Sequence, residues 1–200
     1  MINVEIWASG GGTNADAIMQ YFDQHADIKI TSLGCNRKKA GAFAVAQKHS
    51  ISAHYWGKEE WYPATILAQL NSRKIDFIIL AGFLKLVPSE VTQAFEGRIV
   101  NIHPSLLPFY GGKDMYGEHV HEAVLANSEH QTGITIHEVN EMFDKGKVLA
   151  QYRTELNPVT ETLASIKMKI QGLEHTHFAP TIEAWIREKR GLSHLTILPL

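Results

Sequence analysis

Asn101 and His103 stand two residues apart at the end of an apolar run, Arg98–Ile102, that reads as a strand. On extended backbone this spacing turns both side chains to one side. An Asn amide can donate to an oxyanion as it develops. An imidazole beside it can supply or remove a proton near neutral pH. The segment that follows, Pro104-Ser105-Leu106-Leu107-Pro108, has two prolines, which stiffen the loop holding the pair. The same histidine is equally readable as one satisfied by carbonyls of its own loop. Asp144 lies in Phe143-Asp144-Lys145-Gly146, where the glycine suits a turn. It reads either as a surface turn aspartate or as a partner of His103, and spacing does not decide between them.

A second candidate is Ser9-Gly10-Gly11-Gly12-Thr13-Asn14, which joins the first predicted strand to the first predicted helix. Glycine permits a sharp turn and a close approach of backbone to ligand. The helix start offers unpaired N–H groups and partial positive charge, which suit phosphate. A tight turn with no ligand has the same residues. Gly10, Gly12 and Ala15 also match a loose dinucleotide fingerprint. That reading wants an acidic residue after the second strand, where Asn36 and Arg37 stand instead; an Arg there would suit a ribose 2′-phosphate, so an NADP-binding protein is a rival. No lysine follows Gly12, which argues against a nucleotide-hydrolysing P-loop.

These residues need elements to hold them. Apolar runs at Ile2–Ala8, Ile28–Leu33, Ile51–Tyr55, Phe77–Leu80 and Arg98–Ile102 read as strands. Helical patterns lie between them near Asn14–Phe22, Ala40–Lys48 and Glu59–Asn71. Such alternation predicts a parallel sheet with helices on both faces. Asn101–Gly112 reads as loop, Val120–Ala126 as helix, and Thr132–Val139 with Lys147–Tyr152 as two further strands. Thr160–Phe178 is the longest helical stretch, with Thr160 as its expected cap and Glu161 at the positive end of its dipole. Gly191–Leu200 has no clear period. The expected fold is α/β: a Rossmann-like three-layer sandwich with a mostly parallel central sheet and a C-terminal antiparallel extension. One residue resists this scheme. Glu5 alternates with apolar neighbours in a strand that should be apolar on both faces, so either that face is wet or Glu5 has a partner.

Composition narrows the function. A chain of 200 residues suits one domain and buries roughly 70% of its extended surface. Charge nearly balances, with 19 Lys and Arg against 21 Asp and Glu, which argues against a basic nucleic-acid surface. The single Cys35 excludes an internal disulfide framework and a Cys-rich zinc site. Met1–Glu5 lacks a signal-peptide pattern, and the longest apolar stretch, Phe77–Leu84, is too short to span a bilayer. A cytoplasmic protein that binds neither membrane nor nucleic acid is expected.

Together these pieces resemble the glycinamide ribonucleotide (phosphoribosylglycinamide) formyltransferase family. The carrying segments are Ser9–Asn14, Ile79–Lys85, Asn101–Pro108, His119–His121, Gly133–His137, Asp144–Gly146 and Gln171–His175, in the family's order, within residues 2 to about 187. The resemblance implies formyl transfer from 10-formyltetrahydrofolate, as co-substrate, to the amine of phosphoribosylglycinamide in purine synthesis. It implies Asn101, His103 and Asp144 as catalytic residues, with His103 charged and held so by Asp144, and it requires no metal and no covalent intermediate. It assigns Gly12, Thr13 and Asn14 to phosphate, and Gln171 and Glu174 to phosphate and ribose. Leu84, Lys85, Leu86 and Val87 would line the pterin pocket and meet the folate tail. The backbone of Asn140, Glu141, Met142 and Phe143 would cover the pterin from the other side, with Asn101 also at the folate.

A single domain over 1–200 follows: a Rossmann-like half at 1–100, a catalytic and folate-site half at 101–187, and a tail at 188–200. Small-molecule substrates are the expected partners, and a homodimer is left open. The family often has Arg at Lys85, and another Arg where Ala64 stands. Lysine keeps the charge but loses bidentate carboxylate binding. The loop Gly111–Gly117 is longer than the commonest one, with Lys113 and Asp114 unassigned, and Lys147 replaces a small residue or proline. A formyltransferase acting on a nucleotide-linked amino sugar would share Asn101, His103 and Asp144, with less need of the glycine turn or Glu174.

Overall fold

A computed structural model describes residues 1–192. Its elements run β1 (Ile2–Ala8), α1 (Thr13–Phe22), β2 (Ile28–Cys35), α2 (Ala42–Lys48), β3 (Ser52–Tyr55), α3 (Pro63–Ser72) and β4 (Phe77–Leu80). They continue α4 (Ser89–Ala94), β5 (Ile99–His103), α5 (Glu118–Ala126), β6 (Gln131–Glu138), β7 (Val148–Glu155) and α6 (Leu163–Lys189). The strands form one seven-stranded sheet in the order β3-β2-β1-β4-β5-β6-β7. The first five run parallel; β6 and β7 are antiparallel to their neighbours. The alternating pattern of the first hundred residues therefore builds the expected sandwich. No described helix is long and apolar enough to cross a membrane.

Both faces of the central strands are covered. Val4, Ile6, Ala8, Phe77, Ile79 and Val100 pack with α1, α2 and α6 on one side. Trp7, Ile78, Leu80 and Ile99 pack with Ile66 and Leu70 of α3 and Val91 of α4 on the other. Successive strand residues point to opposite faces, which explains why β4 reads as Phe-Ile-Ile-Leu without alternation.

Glu5 has partners. It is fully buried and accepts from Trp7 Nε1 at 2.7 Å, Ser32 Oγ at 2.6 Å and Arg73 Nε at 3.0 Å. His54 Nε2 lies 3.4 Å away. Burial pushes the carboxyl up, but His54, Arg73 and Ser32 together outweigh it and hold the group below its ordinary value.

Several boundaries differ from expectation. α3 begins at Pro63, since proline is pre-shaped for a first turn and has no N–H to lose there. α4 is only six residues long, too short to show a period. α6 is capped by Thr162, not Thr160: Thr162 Oγ1 accepts from Ser165 N at 3.1 Å and Ser165 Oγ accepts from Thr162 N at 2.9 Å. The amides of Thr160 and Glu161 instead close a turn onto the Asn157 carbonyl. α6 also runs past Phe178 and through Pro180, because Ile182, Trp185 and Ile186 prolong the buried stripe of Ile166, Ile170 and Phe178. The tail expected from residue 188 is still helix at Lys189, and residues 193–200 of the expected aperiodic end lie outside those described.

Candidate active site

Asn101 and His103 sit at the C-terminal end of β5, where open α/β sheets place ligands. β6 lies antiparallel beside them and sets His137 opposite Asn101 and Thr135 opposite His103. His137 Nδ1 lies 2.8 Å from the Glu138 carbonyl. A carbonyl only accepts, so Nδ1 carries the proton and Nε2 is the acceptor in the neutral ring. Asn101 Nδ2, 3.1 Å away, donates to that Nε2. One amide hydrogen of Asn101 is thereby fixed, and the second is left for a ligand.

Asp144 converges on this corner from the loop after β6. Its backbone is left-handed, at φ 53°. Gly146 beyond it is indispensable, since a Cβ there would lie 1.7 Å from the Glu138 carbonyl oxygen. Oδ2 of Asp144 lies 3.5 Å from His103 Nδ1 and Oδ1 lies 3.5 Å from His137 Nε2. Both are longer than a hydrogen bond, and each becomes an ion pair only when the imidazole carries its second proton. Oδ2 also accepts from the Gly112 amide at 2.9 Å, and His103 Nε2 donates to the Tyr110 carbonyl at 2.7 Å.

Two effects oppose each other at His103. His103 is only 3% exposed. Burial pushes its pKa down; the Asp144 carboxylate and the Tyr110 carbonyl oppose this, and the net direction is downward. The charged ring implied by the resemblance therefore depends on Asp144, which opposes the burial. The same burial pushes Asp144 up, but His137, His103 and the Gly112 amide outweigh it and keep the carboxyl below its ordinary value.

These groups line one cavity of about 620 Å³. Of the residues assigned to the amine substrate, Asn14, Gln171 and Glu174 line it. Gly12 and Thr13 do not. Gly12 is buried as the left-handed cap of α1, at φ 84°, and a Cβ there would lie 2.8 Å from Ala42 Cα. Thr13 is exposed at the first position of α1. Asn14 Nδ2 donates to Glu174 Oε2 at 3.0 Å, so the glycine turn and α6 meet. Burial pushes the Glu174 carboxyl up, and the Asn14 hydrogen bond offsets only part of it. Asn14 Oδ1 is buried without a partner among the described residues, as a residue awaiting a ligand donor would be. Gly12→Ala combines a clash with a positive φ, and it should cost about 1–3 kcal/mol of stability, read as a lower denaturant midpoint.

Of the residues assigned to the folate, Leu84, Lys85, Leu86, Val87, Asn101, Asn140, Met142 and Phe143 line the cavity. Glu141 does not: it turns away and accepts from Gln93 Nε2 of α4 at 2.6 Å. Ser9 ties the two loops together, since its Oγ accepts from Leu84 N at 2.9 Å and its amide donates to the Gly82 carbonyl at 3.1 Å. Lys85 Nζ stands 4.4 Å from the centre of the Trp61 ring, so its ammonium is held by an aromatic face. Ala64 is exposed and off the cavity wall. His121, Lys167 and the Gly112–Gly117 loop also line the cavity, and sequence reasoning assigned them no role. Nor did it assign one to His137, although that residue ends the Gly133–His137 segment that carries the resemblance. Neither Asn36 nor Arg37, the residues of the NADP reading, lines the cavity.

The model of the formyl transferase family matches residues 2–182. The chain belongs to the formyl transferase family. Among its relatives, the chloroplastic phosphoribosylglycinamide formyltransferase of Vigna unguiculata is 35% identical over 194 residues, covering 92% of this chain and 61% of that protein. The chain thus spans less than two thirds of that plant relative, and 65% of its Arabidopsis thaliana counterpart. The phosphoribosylglycinamide formyltransferase of Bacillus subtilis is 30% identical, covering 89% of this chain and 91% of that protein. A crystal structure of the same enzyme from Bacillus halodurans superposes with a TM-score of 0.83 at 32% identity, covering 98% of this chain and all of that one.

Proposed function

We propose that this formyl transferase moves the formyl group of 10-formyltetrahydrofolate to the amine of phosphoribosylglycinamide, in de novo purine synthesis. The observation that carries the reading is a single cavity shared by the Asn101–His103–Asp144 corner, the Asn14–Glu174 pair and the Leu84–Val87 and Asn140–Phe143 walls. Free amides at the start of α1, shaped by Gly12 and Thr13, take the phosphate. Gln171 and Glu174, one turn apart on α6, take ribose hydroxyls. Lys85 and the Leu84–Val87 segment hold the folate.

The unprotonated amine attacks the formyl carbon, and a C–N bond forms as negative charge develops on the formyl oxygen. Asn101 donates its free amide hydrogen to that oxygen, its other hydrogen being held by His137. His103 carries a second proton on Nδ1 against Asp144. Burial makes this proton acidic, so it passes readily to the leaving nitrogen when the old C–N bond breaks. Asp144 receives the proton that the amine gives up, directly or through one water, and returns it to His103. Positioning and electrostatics then supply the acceleration.

The amino-sugar alternative is tested by an acceptor screen with 10-formyltetrahydrofolate. Phosphoribosylglycinamide should be formylated and amino-sugar nucleotides should not, because Glu174 and the glycine turn form a phosphate and ribose site. Product with amino-sugar nucleotides alone would defeat the proposal.

A further inference from the structure

Two backbone groups hydrogen-bond to the His103–Asp144 pair, and both come from one three-residue run. The Tyr110 carbonyl accepts from His103 Nε2 at 2.7 Å. The Gly112 amide donates to Asp144 Oδ2 at 2.9 Å. That oxygen is the one facing His103 Nδ1. The run is shaped for this: Tyr110 and Gly112 are both left-handed, at φ 54° and 97°. Between them a Cβ on Gly111 would lie 2.4 Å from Leu107 Cδ2, so that side chain would have to shift. The run is also anchored away from the cavity. Tyr110 Oη donates to Glu129 Oε1 at 2.6 Å, and Ser105 Oγ donates to the Phe109 carbonyl at 2.6 Å. Neither Tyr110 nor Glu129 lines the cavity.

We propose that Tyr110–Gly112 is a positioning clamp that sets the tautomer of His103 and the aim of Asp144 together. A carbonyl can only accept, so Nε2 keeps its proton and Nδ1 becomes the nitrogen that exchanges one. An amide can only donate, so it favours the ionised Asp144 oxygen and keeps it turned toward Nδ1. Backbone groups cannot swing aside as side chains do, so the pair stays aligned unless the whole run moves. The clamp rests on the reading that His103 and Asp144 serve formyl transfer. The other charged or titratable groups acting on the pair are His137, from β6, and His121, from α5.

The test is NMR titration of the His103 ring in the whole chain, without substrates, beside steady-state kinetics. Wild type should show the Nε2-protonated tautomer. Tyr110→Phe removes the anchor, and Gly112→Pro removes the donor and also breaks the turn, since proline cannot adopt the positive φ of Gly112. A misaimed carboxylate supports the imidazolium less, so both variants should lower the His103 midpoint, by about half to one pH unit. Both should lower kcat about tenfold or more, with each KM within about threefold of wild type. Glu129→Gln retains an acceptor for the Tyr110 hydroxyl and should stay near wild type. If Gly112→Pro does not fold, Tyr110→Phe decides. An unchanged tautomer and midpoint in folded Tyr110→Phe would overturn the clamp. Since the titration needs no substrate, a wild type without formyl transfer would sink the functional reading and leave the clamp standing.

Discussion

Asp144→Asn should lower kcat about 10²- to 10⁴-fold, with both KM values changed far less. Asparagine is nearly isosteric, so the loop left-handed at residue 144 and the Gly112 contact have no steric reason to move. What disappears is the charge. The carboxylate is the larger of the two groups that raise His103 against its burial, so the sign is fixed. Without it the His103 midpoint falls further below the ordinary value of 6.5, and the doubly protonated ring becomes scarce at neutral pH. The amine's proton also loses its acceptor. His103→Ala should be at least as damaging, because it removes the donor outright. Kinetics of both variants and an NMR titration of His103 in Asp144→Asn check this. Turnover within tenfold of wild type in either variant would remove these residues from the assigned roles.

Arg73→Leu should cost about 3–5 kcal/mol of stability, the scale for a buried carboxylate that loses its ionic partner. Glu5 has no exposed surface, and Arg73 reaches it through Nε at 3.0 Å and Nη2 at 3.4 Å. The pH dependence distinguishes this from lost packing. In the wild type the Glu5 pKa is lowered by folding, so its contribution is present above the ordinary carboxyl value and fades as pH falls through the folded one. In Arg73→Leu, burial has lost one charged opponent while His54 remains, and the folded pKa rises. The stability lost on acidification should then be smaller at this residue than in wild type. Denaturant midpoints at pH 7 and pH 5 are the measurement. A loss under about 1 kcal/mol, the same at both pH values, would mean the ion pair contributes little.

The sheet was legible because its signals are local. Phe77–Leu80 is a run too apolar for anything but a strand covered on both faces, and the glycines at 10–12 mark a turn whatever the rest of the chain does. β1 and β4 have the bounds that their patterns predict. Local signals failed where a neighbour decided the outcome. The stripe on α6 continued past proline because the sheet offered it a surface. Thr160 lost the cap to Thr162 because a preceding turn used its amide. Glu5 looked misplaced because Arg73, 68 positions away, supplies its charge.

The candidate site divides in the same way. Residue types, the two-residue spacing of Asn101 and His103, and the glycine turn are properties of the chain alone, because chemistry and backbone freedom belong to the residue. Convergence belongs to the tertiary structure. Only the antiparallel register of β5 and β6 set His137 against Asn101. Only the fold of two separate loops brought the Gly112 amide and the Asp144 carboxylate together and buried His103 deeply enough to oppose its charge. Distances between groups far apart along a chain, and the desolvation that tunes them, arise from packing, which no short stretch of sequence contains.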